Sequence, residues 1–289
     1  MIELLNTYFV PVYASNEDHR GDGPAPADER AECRRIYLEA LNAKLSAGTV
    51  HVYVTNPDGH TIDSQHVSTA CKVEELTAML ERTVQRLKTA PGNPLTTPES
   101  RSNPPSVEPG SVVLHLTARN LVRENGELAP VRAVLGTCKS CNWGSYAVEN
   151  WLVLNADDCS KLLPVGDVAA GESWVIDRAV AAKFLTYFYP STENNDVSKN
   201  RIDRQTLKAT VLSRTGGVTR ARLDGTLMMQ HSFYHKDDGN FVDATFVGVL
   251  DFEPATKKVR SLQIATTSAV YGINKTNFGV VLRSESFPP

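Results

Sequence analysis

Two histidines, two methionines and two aromatic rings crowd into residues 227–235, which read Leu-Met-Met-Gln-His-Ser-Phe-Tyr-His. The run lies within residues 218–235, whose alternating apolar and polar side chains predict one long β-strand. On an unbroken strand, Met229, His231 and His235 share a face with most of the apolar side chains, so this face is predicted to point inward. Methionine and imidazole together are typical ligands of soft metals such as copper(I).

Several roles are open for these histidines. His231 and His235 lie two pleats apart, too far to chelate one metal without ligands from neighbouring strands. His231 could instead be a general base, or a hydrogen-bonded interior histidine with His235 exposed near a hairpin tip. Gly225 could mark a β-bulge, which would reverse the parity beyond it. The sequence therefore names His231 and His235 as candidate ligand-binding residues. Met229 joins them as candidate ligands of copper or zinc, and no other cofactor is predicted.

A Cys-x-x-Cys pair, Cys138 and Cys141, lies in a turn-rich stretch bracketed by Gly136 and Gly144. Such a pair can be a redox couple, a disulfide, half of a zinc site or merely structural. Zinc usually takes four ligands from two such pairs, and only Cys159 is near in sequence. A redox pair normally opens a helix, whose N-terminus lowers the thiol pKa. Cys138 and Cys141 are thus the candidate catalytic residues, with these alternatives open.

Trp174 and Tyr187 complete the candidate ligand-binding residues. Tyr187 falls in a helix predicted over residues 177–188, with Asp177 as its N-cap. The simplest role of both rings is in the core and its rim. The alternative is a ligand groove between that helix and a sheet, since curled antiparallel sheets commonly enclose one.

The elements that must position these residues divide the chain into two domains. Its 289 residues suffice for about two, and the proline-rich residues 90–110 predict a linker. Residues 1–89 show helical periodicity over residues 27–45 and 73–87. Between these two segments, residues 49–55 and 61–67 are predicted to form a hairpin. Residues 111–289 show strands separated by short turns, such as Gly216-Gly217. We therefore predict an α+β protein: an α/β module, then a mainly antiparallel β domain with one or two helices, its sheet curled or closed into a barrel.

The first domain resembles the second half of a thioredoxin-like domain. The resemblance rests on the order strand, helix, strand, Pro-Asp-Gly turn, strand, helix. Residues 48–59, Gly-Thr-Val-His-Val-Tyr-Val-Thr-Asn-Pro-Asp-Gly, carry most of it. It implies that residues 8–14 and 49–55 are strands of one sheet. The strand that separates them in the family is missing, so another segment or a second chain is expected to complete the sheet.

The domain departs from the thioredoxin-like pattern in two places. The chain starts after the position of the family's Cys-x-x-Cys, and Gly48-Thr49-Val50 stands where the family has a cis-proline. The resemblance therefore implies a degenerate module and does not carry oxidoreductase activity over to this chain.

Composition narrows the classes of function. Hydrophobic residues make up 41% and charged residues 22%, as in ordinary soluble domains. The net charge of −3 argues against a nucleic-acid partner, which usually requires a basic face. No apolar run approaches the roughly 18 residues of a membrane span, and no signal peptide is visible. As it stands the sequence predicts a cytoplasmic protein, or an exported one if an upstream leader was removed.

Three functions are compatible with these patterns. The first is a noncatalytic two-domain binding protein whose β-rich domain binds a small molecule or a protein partner. The second is a thiol–disulfide redox protein using Cys138 and Cys141, and the third is a copper- or zinc-binding protein. We favour the first because every chemical motif is incomplete while both domains show well-formed patterns. Whether the protein is an enzyme is left open.

Overall fold

The structure, a computed structural model, describes residues 1–21, 23–94, 104–133, 144–192, 197–232 and 239–285. The chain divides into two compact units, with one boundary between Ser100 and Arg101, inside the predicted linker. We call the described residues up to 94 the first unit and those from 104 onward the second unit.

The first unit combines a β-hairpin with helices. Its sheet is a two-stranded antiparallel pair. In the turn between the strands, Asn56 Oδ1 accepts from the N–H groups of Asp58 and His60 at 3.1 and 2.8 Å. Both strands of the predicted hairpin and the last predicted helix are confirmed. The elements are α1 (Ile2–Tyr8), α2 (Asn16–His19), α3 (Ala27–Asn42), β1 (His51–Thr55), β2 (Thr61–His66), α4 (Val67–Ala70) and α5 (Val73–Leu87).

The core of the first unit is small. Val54, Met79 and Leu80 form its buried cluster. The apolar residues of α5 recur at steps of three and four, so one face of this helix covers the hairpin. On α3, the Ile36 carbonyl accepts from the Thr61 hydroxyl at 3.2 Å, which ties that helix to β2.

Residues 8–14 do not form the predicted strand. α1 ends at Tyr8, and the chain from Phe9 to Ala14 has no regular secondary structure. Val12 and Tyr13 are 84% and 89% exposed, and Pro11 has no N–H to give a ladder. The prediction is wrong because a strand needs a partner, and the described part of this unit pairs only β1 with β2. This two-stranded arrangement does not confirm the thioredoxin-like module.

The second unit is built on nine strands in one sheet, in which every pairing is antiparallel. The order is β4-β3-β11-β10-β9-β8-β7-β6, and β5 also pairs with β3. Its elements are β3 (Val112–Glu124), β4 (Glu127–Pro130), β5 (Val148–Leu154), α6 (Ala156–Leu162), β6 (Ser173–Val175), α7 (Arg178–Leu185), β7 (Asn200–Thr215), β8 (Val218–His231), β9 (Phe241–Glu253), β10 (Lys258–Tyr271) and β11 (Thr276–Ser284).

The edge of this sheet changes partner along β3. β5 pairs with the first half of β3, up to Ala118. β4 pairs with the far end of β3, from Leu121 to Glu124. Arg119 and Asn120 lie between these two pairings, where the edge of β3 is not covered by either strand.

Alternation along β8 matches the predicted inward face. Six of its side chains are buried on one parity: Thr219, Ala221, Leu223, Leu227, Met229 and His231. Gly225 does not mark a bulge in β8, because it stays in register between Leu207 and Phe246. A Cβ there would lie 2.2 Å from the Phe246 ring and 2.7 Å from the carbonyl oxygen of Thr206. Glycine is therefore required so that this ring can pack on the backbone of β8.

Two helices cover the buried face of the sheet. A capping box between Asn155 and Asp158 begins α6, and Asp177 caps α7 as predicted. The Trp174 ring on the edge strand β6 meets Phe252 on β9 edge-on, with 5.9 Å between centroids. A flat sheet would hold these strands about 14 Å apart, so the contact indicates that the sheet curls toward this face.

The predicted α+β class with a mainly antiparallel second domain is confirmed. The barrel alternative is wrong: among the described residues no pairing joins β6 to β4 or β5, so the sheet stays open. The sequence also missed the hairpin of β3 and β4, although Asn125 and Gly126, both with positive φ, are a strong turn signal.

Candidate functional site

His231 lies at the end of β8 in the interior of the second unit. Its exposed fraction is 0%. Nδ1 is 2.5 Å from Oδ1 of Asn200, and Nε2 is 3.1 Å from Oγ1 of Thr192. The ring stacks on Tyr189, with centroids 4.4 Å apart, and meets Tyr271 edge-on at 5.6 Å. The predicted inward histidine is thus enclosed by polar partners and by aromatic rings.

Asn200 sets the tautomer of this histidine. Its Nδ2 donates to the Thr186 carbonyl at 2.8 Å, so its Oδ1 faces His231 as an acceptor. Nδ1 of His231 therefore donates, and in the neutral ring Nε2 accepts from the Thr192 hydroxyl. This order of hydroxyl, imidazole and orienting amide is also the order of a nucleophile, its base and the group that holds the base.

Burial decides which role this trio favours. His231 has no exposed surface, and Thr192, the partner of its Nε2, is half-buried. The hydrogen bonds join the end of β8 to the start of β7 and to the segment after α7. Each is worth about 0.5–1.5 kcal/mol when both partners are satisfied. The geometry favours the interior, hydrogen-bonded role that the sequence left open for His231.

Trp174, another predicted ligand residue, lies far from His231. Trp174 pairs through Ala209 with Leu223, which places it roughly 26 Å from His231 along the strand direction. Its Nε1 donates to the Leu162 carbonyl at 3.0 Å. Tyr187 is half-buried against the core.

The remaining candidates divide between the core and the parts outside the described ranges. Met229, a predicted metal ligand, is 0% exposed on the inner face of β8. His235, Cys138 and Cys141 lie outside the described residues. Within the described residues, no group of three or more His, Cys, Asp or Glu side chains is placed to hold a metal ion.

Cys159 is a buried cysteine in the interior of the second unit. Burial, and then the neighbouring Asp158 carboxylate, raise its pKa to about 11. Its Sγ donates weakly to the Leu154 carbonyl at 3.6 Å. Because the thiolate is the reactive species, this cysteine is unreactive at neutral pH and serves as a small core residue.

A cavity of about 520 Å³ lies at the partner change of β3. The chain leaves β4 there and returns to begin β5, so the gap in edge pairing opens between the two. The Val131 N–H donates to the Asn120 carbonyl at 3.1 Å and holds one wall. The lining residues are Arg119, Pro130, Val131, Arg132, Ala133, Ser145 and Tyr146.

The charge in this cavity is positive. Arg119 and Arg132 are its charged lining residues, and among the described residues no carboxylate lines it. Nη2 of Arg119 donates to the Ser145 carbonyl at 3.0 Å, which holds the guanidinium against the cavity wall. Pro130, Val131 and Ala133 make most of the remaining lining apolar.

Sequence reasoning missed this cavity and the partners of His231. Arg119 falls on the outward parity of a predicted strand, where an arginine is unremarkable. The Asn-Gly turn after β3 was the one local signal of the hairpin that begins β4. β4 pairs only with residues 121–124 of β3, so it leaves the rest of that edge uncovered. Asn200 and Thr192 lie 31 and 39 residues from His231, beyond any local pattern.

Comparison with known proteins found no relatives. No family model matches the chain, and no similar curated protein or solved structure was found. Every helix in the described residues is too short or too polar to cross a bilayer.

Proposed function

We propose that this protein is a noncatalytic binding protein whose second unit takes a small molecule into the cavity beside Arg119. One observation carries the proposal: the gap in strand pairing along β3 coincides with a cavity of about 520 Å³. Ligand sites in proteins usually occupy about 300–1,000 Å³ and combine apolar walls with a few fixed polar groups. This cavity has both.

The cavity is supported by rigid parts of the fold. Leu116 and Ala118, the inward residues that precede Arg119 on β3, are 0% exposed. β3 is also paired on its other edge with β11 through Asn120. A site built on a buried strand is largely formed before the ligand arrives, so binding loses little free energy to ordering.

The alternative functions rest on other residues. The thiol–disulfide hypothesis needs Cys138 and Cys141, and the metal hypothesis needs His235 with His231, whose ring nitrogens already contact Asn200 and Thr192. In the described part of the chain no contact favours either hypothesis over the cavity. Both stay predictions of the sequence.

A fragment screen by protein-observed NMR on the full chain tests the proposal. Neutral, acidic and basic fragments are added in turn, and the amide signals of Arg119, Val131 and Tyr146 are followed. We expect at least one chemical class to shift these signals in a saturable way, with dissociation constants near the millimolar range usual for fragments.

Two alanine-to-tryptophan substitutions, one in the cavity and one outside it, provide the control. Ala133→Trp puts a large ring into the cavity and should abolish the shifts, whereas Ala170→Trp, at an exposed alanine before β6, should leave them unchanged. If no fragment of any charge shifts the cavity signals, or if both variants respond like the native chain, the proposal is wrong.

A further inference from the structure

We infer that the cavity beside Arg119 binds an organic anion, a carboxylate or phosphate oxyanion carried on an apolar body. This inference rests on the binding function proposed above and adds the chemical class of the ligand. It follows from the placement of two guanidinium groups and from the side chains around them.

Arg119 is oriented for a ligand by a single anchor. Its Nη2 donates to the Ser145 carbonyl at 3.0 Å. A guanidinium has five N–H donors in a planar fork, so several donors remain for another acceptor. Across the sheet the partner of Arg119 is Gly279, which has no side chain to crowd the group. Within the described ranges no carboxylate forms an ion pair with Arg119.

Arg132 adds a second positive charge to the same cavity. It is exposed, and in the described structure it makes neither a hydrogen bond nor an ion pair. Two arginines without an acid between them attract an anion, and guanidinium groups bind carboxylate and phosphate oxygens through paired hydrogen bonds. The cavity thus presents one fixed and one adjustable cation.

Glu149 is the carboxylate that could oppose this assignment. It lies on β5 opposite Thr117, diagonal to Arg119 in the strand register. Its side chain is exposed, does not line the cavity and forms no ion pair with either arginine in the described structure. Glu149 weakens the positive potential without cancelling it, so its removal should strengthen anion binding.

The rest of the lining fixes the other half of the ligand. Pro130, Val131 and Ala133 supply aliphatic surface, and Tyr146 supplies a ring. Burying apolar surface contributes about 25 cal/mol per Å², so a ligand with an apolar body gains affinity there. A free inorganic ion would gain nothing from this apolar surface.

The test is isothermal titration of the full chain with benzoate and phenyl phosphate, each compared with benzamide as a neutral analogue. The two acids distinguish a carboxylate ligand from a phosphate ligand. We expect at least one acid to bind about tenfold or more tightly than benzamide, because a hydrogen bond to a charged group contributes about 1.5–3 kcal/mol.

Three arginine variants locate the effect. Arg119→Gln should weaken the acid about tenfold to a hundredfold and leave benzamide unchanged. Arg132→Gln should weaken acid binding less than Arg119→Gln does. Because Arg132 is exposed and makes no ion pair in the described structure, this substitution should not disturb folding. Arg123→Gln is the matched control, because Arg123 donates to the Gly126 carbonyl in the neighbouring hairpin and lies outside the cavity.

The outcomes distinguish a failure of the anion assignment from a failure of the proposed binding function. If benzamide binds as tightly as both acids and neither cavity arginine matters, the anion assignment is wrong while the cavity remains a binding site. If the fragment screen finds ligands but no acid binds at about 10 mM, the assignment is also wrong. If Glu149→Gln weakens acid binding instead of strengthening it, the electrostatic argument fails.

Discussion

The two units of this chain are held together differently. In the second unit, 33 buried residues form one continuous core between the sheet and its helices. In the first unit, the buried cluster has three members. The first unit instead ties its helix α3 to the hairpin with polar contacts. Arg35 reaches the Gly59 carbonyl at 2.7 Å, and Glu39 accepts from the Thr61 N–H at 2.9 Å.

This difference predicts different sensitivities. A large apolar core loses stability when its volume is cut. A unit that is held together by titratable side chains at its surface changes in stability with pH and salt, because its contacts need those side chains in one protonation state. Trp151 and Trp174 lie in the second unit, and none of the three tryptophans falls within residues 1–94. Tryptophan fluorescence therefore follows the unfolding of the second unit.

The largest effect is expected from Phe246→Ala. This ring is 1% exposed, packs against Phe188 with centroids 5.5 Å apart and covers Gly225. Its removal leaves a cavity in the core and should lower the free energy of unfolding of the second unit by about 3–5 kcal/mol. Urea unfolding followed by tryptophan fluorescence measures it. Val247→Ala, on the opposite face of the same strand, should cost about 0.5–1 kcal/mol. Equal costs would break the comparison.

A smaller effect is expected from His231→Phe. The substitution keeps a ring beside Tyr189 but removes the hydrogen bonds to Asn200 and Thr192. Leaving the Asn200 oxygen without its donor should cost about 1–3 kcal/mol, measured in the same urea experiment. The double variant with Asn200→Leu should cost less than the sum of the single changes, because both act on one hydrogen bond. Additive costs would show that the trio is not a unit.

The smallest effect is a loosening of the first unit in mild acid. Burial, and then the nearby His66, lower the pKa of His51. The fold therefore favours the neutral ring, and this contribution is complete above about pH 6.5 and lost as the pH falls below it. His66 also caps α4, because its Nδ1 accepts from the Ser68 N–H at 3.1 Å.

Amide protection factors of β1 and β2, compared between pH 7.5 and pH 5, measure this loosening. Protection should fall in the first unit, and His51→Gln should remove most of the fall. His19→Gln is the matched control, because His19 contacts Glu29 on α3 instead of the hairpin. A first unit that stays equally protected at pH 5 would contradict the prediction.

Stronger acid adds a second loss in the same unit. The Thr61 N–H, then His60, hold the pKa of Glu39 down to about 2. The fold thus favours the ionised carboxylate, and its contribution is complete above about pH 4.5 and lost as the pH falls toward 2. The order of the two losses, His51 first and Glu39 second, follows from these directions.

Local patterns predicted the elements well where one face of an element is apolar. α5 has its predicted bounds, Val73–Leu87, and the buried parity of β8 runs as predicted through His231. Side-chain periodicities of 3.6 and 2 arise from the geometry of a single element, so they can be read without a partner. The prediction of a strand at residues 8–14 was wrong because a strand forms only beside a partner strand, which a local pattern does not specify.

By itself the sequence determined the helices and strands with strong periodicity and the inward face of β8. Only the tertiary structure decided that His231 meets Asn200 and Thr192, and that β4 and β5 leave Arg119 beside a cavity. The physical reason is distance along the chain. A pattern within ten residues sets which face of an element is apolar, whereas a site is made where strands far apart in sequence share, or fail to share, an edge.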